Sequence, residues 1–314
     1  MEKKDLRIVY MGTPDFAVES LRALVENGYN VVAVVTMPDK PAGRGHKLQY
    51  SPVKQYALQH NLPLLQPEKL KDEQFLTELR SYNAHLQIVV AFRMLPQVVW
   101  SMPPMGTFNL HASLLPQYRG AAPINWAVIN GETETGITTF FLQHEIDTGH
   151  VIFQEKTPIA PNENVGEVHD RLMMMGAKLV VRTVDAILEG NVPQTPQDEL
   201  AVDDLKPAPK IFKDTCRMDF SKTVHDLHNF VRGLSPYPAA WTELVLPGQS
   251  EPSIVKVYEV RPEPSCHNLP VGTLETDKKT FLRVAASDGY LYLKELQLPG
   301  KKRMKVADLL NGLR

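Results

Sequence analysis

A short apolar run that does not alternate, residues 6–10, constrains the fold more than any other feature, because helix-start signals follow it at once. An alternating strand buries one face; a run without alternation suits a strand buried on both faces of a parallel sheet. Thr13 is placed to cap a helix, Pro14 fits its first position, and Asp15 suits the positive end of its dipole. Phe16, Leu21, Leu24 and Val25 then give one apolar stripe before Gly28, and residues 30–36 read as a second buried strand. Strand, helix, strand in that order is a βαβ unit. Further strands are expected at 86–91, 107–110, 136–142 and 151–154, with helices over 52–60, 72–81, 122–130 and 165–188. The expected class is α/β, with a doubly wound, mostly parallel sheet.

At 314 residues the chain is long for one core, so two domains are expected. The break falls where apolar periodicity stops: residues 190–209 carry Pro193, Pro196, Pro207 and Pro209 among polar residues and read as a linker. Beyond it come a helix near 223–233 and β-rich runs at 240–246, 254–260, 281–285 and 291–296, separated by Gly, Pro and Asp turns. That spacing suits a small OB-like barrel. The expected layout is a first domain at 1–189, a linker at 190–209 and a second domain at 210–314.

With 34 Lys and Arg against 36 Asp and Glu, any nucleic-acid contact has to come from a local patch. Cys216 and Cys266 stand far apart without companions at zinc-ligand spacing, so both read as reduced packing residues and no metal is expected. The charged first residues lead straight into the first strand, without the apolar core of a signal peptide, and no run approaches the length of a membrane span. A cytoplasmic protein that makes no membrane contact is expected.

Open α/β sheets place ligands beyond the carboxyl ends of their parallel strands, which singles out polar residues just after a strand. Asn109 and His111 stand at such an end, and alternation along an extended chain turns both to one side. The loop that follows, with Ser113, Leu114, Leu115 and Pro116, mixes backbone donors with apolar side chains, as a slot for a flat aromatic cofactor would. Asp147 follows the 136–142 strand and approaches His111 if the two strands are neighbours. Taken one at a time, His111 reads as a core histidine, Asp147 as a turn residue before Gly149, and Asn109 as a cap on a strand end. Gly12 without a Gly-x-Gly-x-x-Gly pattern gives no support to a dinucleotide site.

Together, Asn109, His111, the run Ser113-Leu114-Leu115-Pro116, Asp147 and Gly149 resemble the folate-dependent formyltransferases. The stretches 11–17, 38–45, 118–124 and 234–241 extend the resemblance over nearly the whole chain and make it similar to the branch that acts on methionyl-tRNA. The resemblance implies a Rossmann-like formyltransferase core with Asn109, His111 and Asp147 as catalytic residues. It also implies 10-formyltetrahydrofolate as donor and initiator methionyl-tRNA as acceptor, in translation initiation, with no metal. The loop at 91–96 departs from the family pattern, lacking a Gly and running one residue short; Phe92, Arg93 and Met94 are the residues it would bring to the cofactor.

Lys40, Arg44 and Lys47 lie in a Gly- and Pro-rich basic loop suited to a phosphate backbone, with Arg44 the contact the resemblance favours. Lys206 and Lys210 near the linker, together with Lys213 and the cluster Lys301, Lys302, Arg303 and Lys305, extend a possible positive track; the alternative is a solvated face. A monomer is expected. Two other readings remain open at this point, a sugar-nucleotide N-formyltransferase with the same trio, and a nucleotide- or RNA-binding module without catalysis.

Overall fold

The computed structural model describes residues 1–42, 47–200 and 203–312. The chain divides into two compact units. The first comprises Met1–Gly120, Gly136–Thr157 and His169–Pro207, the second Ala121–Thr135, Pro158–Val168 and Ala208–Arg314. Among the described residues no helix is long and apolar enough to cross a membrane.

The first unit opens with the expected βαβ element: β1 (Arg7–Gly12), α1 (Asp15–Glu26) and β2 (Asn30–Val35), with β1 and β2 parallel. Pro14, not Thr13, occupies the cap of α1, and no side chain caps it. The Thr13 hydroxyl turns instead toward the Met37 backbone amide at 3.4 Å, tying the end of β1 to the end of β2. A two-stranded arm follows, β3 (Lys40–Ala42) antiparallel to β4 (Lys47–Gln49). Next come α2 (Pro52–Gln59), capped by Ser51, β5 (Leu64–Leu65) and α3 (Glu73–Ser81), capped by Asp72. Then follow β6 (Leu86–Val90), α4 (Gln97–Trp100), β7 (Thr107–His111), α5 (Pro123–Ile129), β8 (Glu134–Phe141), β9 (Val151–Pro158) and the long α6 (Val165–Glu189).

The sheet runs β5-β2-β1-β6-β7-β8-β9. Its first five strands are parallel, while β8 runs antiparallel to β7, so the sheet is mixed. Both faces of the parallel part are buried, which is why β6 carries five buried residues in a row. On one face Val9, Met11, Val35, Leu76, Leu79, Val89 and Val99 form a continuous core. Strand order reverses at β1, with β2 on one side and β6 on the other, so the switch point where such sheets hold ligands lies at the carboxyl ends of β1 and β6. Gly12 stands there because the backbones approach closely: a Cβ would sit 2.7 Å from that of Ala17 and 2.8 Å from the Val90 carbonyl.

In the second unit α7 (Val224–Leu234), capped by Thr223, precedes β10 (Ala240–Leu244), β11 (Ser253–Pro264), β12 (Leu274–Thr276), β13 (Leu282–Ala286), β14 (Gly289–Gln297), β15 (Met304–Lys305) and α8 (Val306–Gly312). The strands make one antiparallel sheet in the order β10-β11-β14-β13-β12, with β15 also on β14. Register shifts flanking Glu259 bend β11, and the sheet curls into a half-barrel. Leu227 and Val231 of α7 enter its core with Val255, Val257, Leu282, Val284, Leu291 and Leu293. The expected strands are present; β12 and β15, three and two residues long, are too short to leave a period-2 signal.

Residues 190–209 were expected to link two domains. Within that stretch Thr195 pairs with Val151 through two backbone bonds of 2.9 Å, and a short 3-10 turn, Gln197–Glu199, follows. The Asp204 carbonyl accepts from the Gln117 amide at 2.6 Å, and the Lys206 carbonyl accepts from the Tyr118 backbone N–H at 2.8 Å. From 195 to 200 and from 203 to 207 the segment lies as a strap against the first unit. Polar bonds hold it, so apolar periodicity gave no sign of it.

Candidate active site

Strand β7 delivers the first two polar residues. Paired between β6 and β8, it sets Asn109 opposite Val89 and Phe140, and His111 opposite Thr138. His111 is 7% exposed. Its Nε2 lies 2.8 Å from the Tyr118 carbonyl, which can only accept, so Nε2 carries the proton and Nδ1 is left on the side of Asp147. The imidazole is thus oriented by a backbone carbonyl that no residue letter announces.

Asp147 stands in the turn after β8, 9% exposed, with its backbone in the left-handed region at φ 55°. Its Oδ2 accepts from the Gly120 backbone N–H at 3.0 Å and lies 3.9 Å from His111 Nδ1. That separation is an ion-pair distance, not a hydrogen bond. The Tyr118 carbonyl, rather than the carboxylate, sets the ring's orientation. Gly149 closes the turn where only glycine fits, since a Cβ would fall 1.6 Å from the Phe141 carbonyl oxygen.

Asn109 is half-buried, and its Oδ1 is buried without a hydrogen-bond partner. An unpaired buried amide oxygen costs about 1–3 kcal/mol, so folds retain one mainly where a polar ligand group answers it. His111 and Asp147 thus meet at the carboxyl end of β7, with Asn109 two residues earlier on the same strand, one strand from the switch point of the sheet.

The loop after β7 is built differently from its expected role. The Ser113 hydroxyl donates to the Gln117 carbonyl at 2.6 Å, and the Ser113 carbonyl accepts from the Thr138 hydroxyl at 2.7 Å. Leu115 packs against Phe140 and Val151, and the Gln154 amide holds its carbonyl at 2.7 Å. Ser113, Leu115 and Pro116 are buried and Leu114 is half-buried. Ser113 and Leu115 brace the loop from within.

In the 91–96 loop the three residues separate. Arg93 turns back to donate to the carbonyls of Pro67 and Glu68, the latter at 2.7 Å, and burial lowers its pKa. It clasps the loop to the 67–68 turn. Phe92 packs against the core, whereas Met94 is 72% exposed, a large apolar side chain left uncovered.

Of the basic residues, Lys40 is exposed on β3 and Lys47 stands on β4, while Arg44 lies outside the described residues. The arm is anchored at its base, where Asp39 accepts from Lys54 Nζ at 2.6 Å and from Gln66 at 2.9 Å; these bonds lower the Asp39 pKa. Lys206 is half-buried, and its backbone N–H donates to Gln117. In the second unit Lys210 is exposed, with its ammonium 5.4 Å from the centre of the Phe212 ring. Arg303 is paired with both oxygens of Glu295, at 2.6 and 2.8 Å, and lies over Tyr258, which leaves its charge largely answered within the unit.

Two family models match the chain, "Formyl transferase" over residues 6–184 and "Formyl transferase, C-terminal domain" over 210–314. A methionyl-tRNA formyltransferase of Bacteroides fragilis is 68% identical over 99% of this chain and 96% of its own length. That of Bacteroides thetaiotaomicron is 67% identical over 100% and 98%, and that of Parabacteroides distasonis 64% identical over 100% and 98%. Among solved structures, the sugar 3N-formyl transferase WlaRD shares the fold at TM-score 0.63 and 18% identity, covering 96% of this chain and all of that one. HypX of Aquifex aeolicus, solved with tetrahydrofolic acid, reaches TM-score 0.61 at 17% identity over 98% of this chain and 47% of its own. Matched over 6–184 and 210–314 by the two models, and over 99–100% of its length by relatives at 64–68% identity, the chain belongs to the formyl transferase family, in its methionyl-tRNA formyltransferase branch.

Proposed function

We propose that the protein transfers the formyl group of 10-formyltetrahydrofolate to the α-amine of methionyl initiator tRNA, the modification that prepares the tRNA for translation initiation. The observation that supports the catalytic assignment is the proximity of His111 Nδ1 and the Asp147 carboxylate, 3.9 Å apart, with Asn109 two residues before His111 on β7. The acceptor follows from the relatives, which are methionyl-tRNA formyltransferases at 64–68% identity along their whole length. A sugar-nucleotide acceptor rests on a likeness of fold at 18% identity and is the weaker reading.

In this reading the neutral amine attacks the formyl carbon and a new C–N bond forms. The tetrahedral intermediate carries negative charge on oxygen and positive charge on nitrogen. The Asn109 amide donates to the oxyanion, a fixed dipole of the kind whose loss costs about 100- to 1000-fold in rate. His111, held through Nε2, presents its Nδ1 edge between Asp147 and the intermediate. Asp147 takes the amine proton, directly or through a water, and collapse expels N10 of the folate, which takes up a proton in turn.

For the donor, the folate ring would lie at the switch point, with the exposed Met94 and the adjacent Phe92 covering it. Arg93 serves the loop's shape. For the acceptor, the β3–β4 arm with Lys40, Arg44 and Lys47 reaches the acceptor end of the tRNA, and Lys206 and Lys210 meet its backbone. The functional division runs as a catalytic domain at 1–189, a linker at 190–209 and an OB-like, tRNA-binding domain at 210–314. The protein acts as a cytoplasmic monomer and needs no metal.

The test supplies 10-formyltetrahydrofolate with methionyl-tRNA or with an amino-sugar nucleotide and identifies the amine that gains formyl. Formylation of the sugar alone would replace the proposed acceptor. Binding of tRNA with no transfer to either would leave only a binding module.

A further inference from the structure

A residue outside both matched family segments holds the catalytic turn. Gln197 lies between residues 184 and 210, in the strap, and is 3% exposed. Its side-chain amide is fully used. Nε2 donates to the Asp147 carbonyl at 2.7 Å and to the Gly149 carbonyl at 2.9 Å, while Oε1 accepts from Arg119 Nε at 3.1 Å and from a terminal guanidinium nitrogen at 2.6 Å. Two carbonyls can only accept and a guanidinium can only donate, so the amide has one possible orientation.

Together with the Gly120 bond to the Asp147 carboxylate, the bonds of Gln197 to Asp147 and Arg119 close a ring around Asp147. Its carboxylate is held from Gly120, the neighbour of Arg119, and its carbonyl is held by Gln197, which Arg119 holds in turn. The ring answers a specific need. Asp147 adopts φ 55°, a conformation that costs a non-glycine residue of order 1–3 kcal/mol and persists only where the surroundings over-determine it. The Thr195–Val151 bridge and the Gln117 contacts to 204 and 206 fasten the strap on either side of the ring. Leu200 adds an apolar contact with the Leu115, Phe140 and Val151 cluster.

We propose that Gln197 is a positioning residue for catalysis: by gripping the carbonyls on either side of Thr148, with Arg119 fixing its orientation, it aims the Asp147 carboxylate at His111. The proposal rests on the catalytic role assigned to Asp147. A misplacement of about 1 Å at a reacting group costs on the order of 100-fold in rate, whereas binding of the distant parts of two large substrates is indifferent to it.

The test measures formyl transfer to methionyl-tRNA by Gln197→Ala, by Gln197→Met, which keeps the volume and removes the donor, and by Gln197→Glu, which keeps an acceptor for Arg119 but offers no donor to the carbonyls. Each Gln197→Met measurement is repeated in the Asp147→Asn background. All three variants should lose about 10- to 100-fold in kcat, with KM for folate and tRNA within about twofold of the parent. In the Asp147→Asn background the Gln197→Met change should lower kcat by less than about twofold, since one interaction cannot be lost twice. Met carries the result if Ala does not fold. The proposal is overturned if Gln197→Met turns over within about twofold of the parent, if its loss is the same in both backgrounds, or if Gln197→Glu restores kcat. Normal turnover by Asp147→Asn alone is a separate result, which removes the functional reading as well.

Discussion

The loop after β7 and the β3–β4 arm are both irregular, polar segments beside the same sheet, yet they are held in different ways. Residues 113–120 are bonded to β8, β9 and the strap through Thr138, Gln154, Gln117 and Tyr118, and the facing turn at Asp147 is gripped through Gly120 and Gln197. Among the described residues the strands of the arm pair with each other alone, and its base is fastened by Asp39, with Lys40, Leu48 and Tyr50 exposed. Stabilising charge as it develops requires groups already in place, because reorganisation at that moment raises the barrier. Capturing a large polyanion requires reach and charge, and tolerates motion. If this contrast is right, substitutions in the first region should act on kcat or on folding, and substitutions in the arm on tRNA affinity.

The sharpest way to break it is Asn109→Ala. The side chain is half-buried with one unanswered oxygen, so little structural support is lost, and the expected fall in kcat is about 100- to 1000-fold, with KM for tRNA changed by less than about threefold. Steady-state kinetics at saturating folate decide it. A variant that kept its kcat and lost tRNA binding would move Asn109 into the class of the arm. Gly149→Ala probes the rigidity of the same region through stability. Its Cβ would lie 1.6 Å from a backbone carbonyl oxygen, which has no flexible end to move aside, and the expected cost is about 3 kcal/mol or more, visible as a lower thermal midpoint. An unchanged midpoint would mean that the turn yields easily and is not the fixed element described.

How far this contrast was legible beforehand differs residue by residue. Asn109 and His111 could be paired because alternation in a strand is strict, and β7 obeys it. The parallel part of the sheet was legible for a similar reason, since a strand buried on both faces leaves an unbroken apolar run. Asp147 could be brought near His111 only on the condition that β7 and β8 are neighbours, which they are; nothing in its letters announces a left-handed backbone. Tyr118 and Gly120 stayed hidden because a carbonyl and an amide act there, and every residue has those. Ser113 and Arg93 were expected at the cofactor, but a polar side chain does not declare whether it faces a ligand or its own backbone, and both face backbone. Gln197 was lost in a proline-rich stretch without periodicity, where a single buried amide leaves no pattern.

Smaller effects belong to the arm. Lys40 is exposed on β3, and Lys40→Ala should raise KM for tRNA by about two- to fivefold with kcat unchanged, and lower the slope of log affinity against log salt by about one. A loss in kcat with an unaltered salt slope would place Lys40 with the chemistry and erase the distinction.

The smallest expected effect is the most specific to the anchor. Asp39 is bonded to Lys54 and Gln66, and these bonds hold its carboxyl below the usual carboxylate range. A group whose pKa is depressed in the folded state stabilises that state fully above its unfolded value of about 4, and loses the contribution as pH falls through the lower folded value. Asp39→Asn should therefore make the arm more readily cut by a protease at neutral pH. The difference from the parent should stay flat from about pH 8 to pH 5 and shrink only below about pH 4. Formyl transfer under saturating tRNA should hardly change if the proposed division between the arm and the loop after β7 holds. A difference that faded instead between pH 8 and pH 5 would point to a group other than this carboxylate, and the arm's hold on the sheet would have to be sought elsewhere than in the Asp39–Lys54 pair.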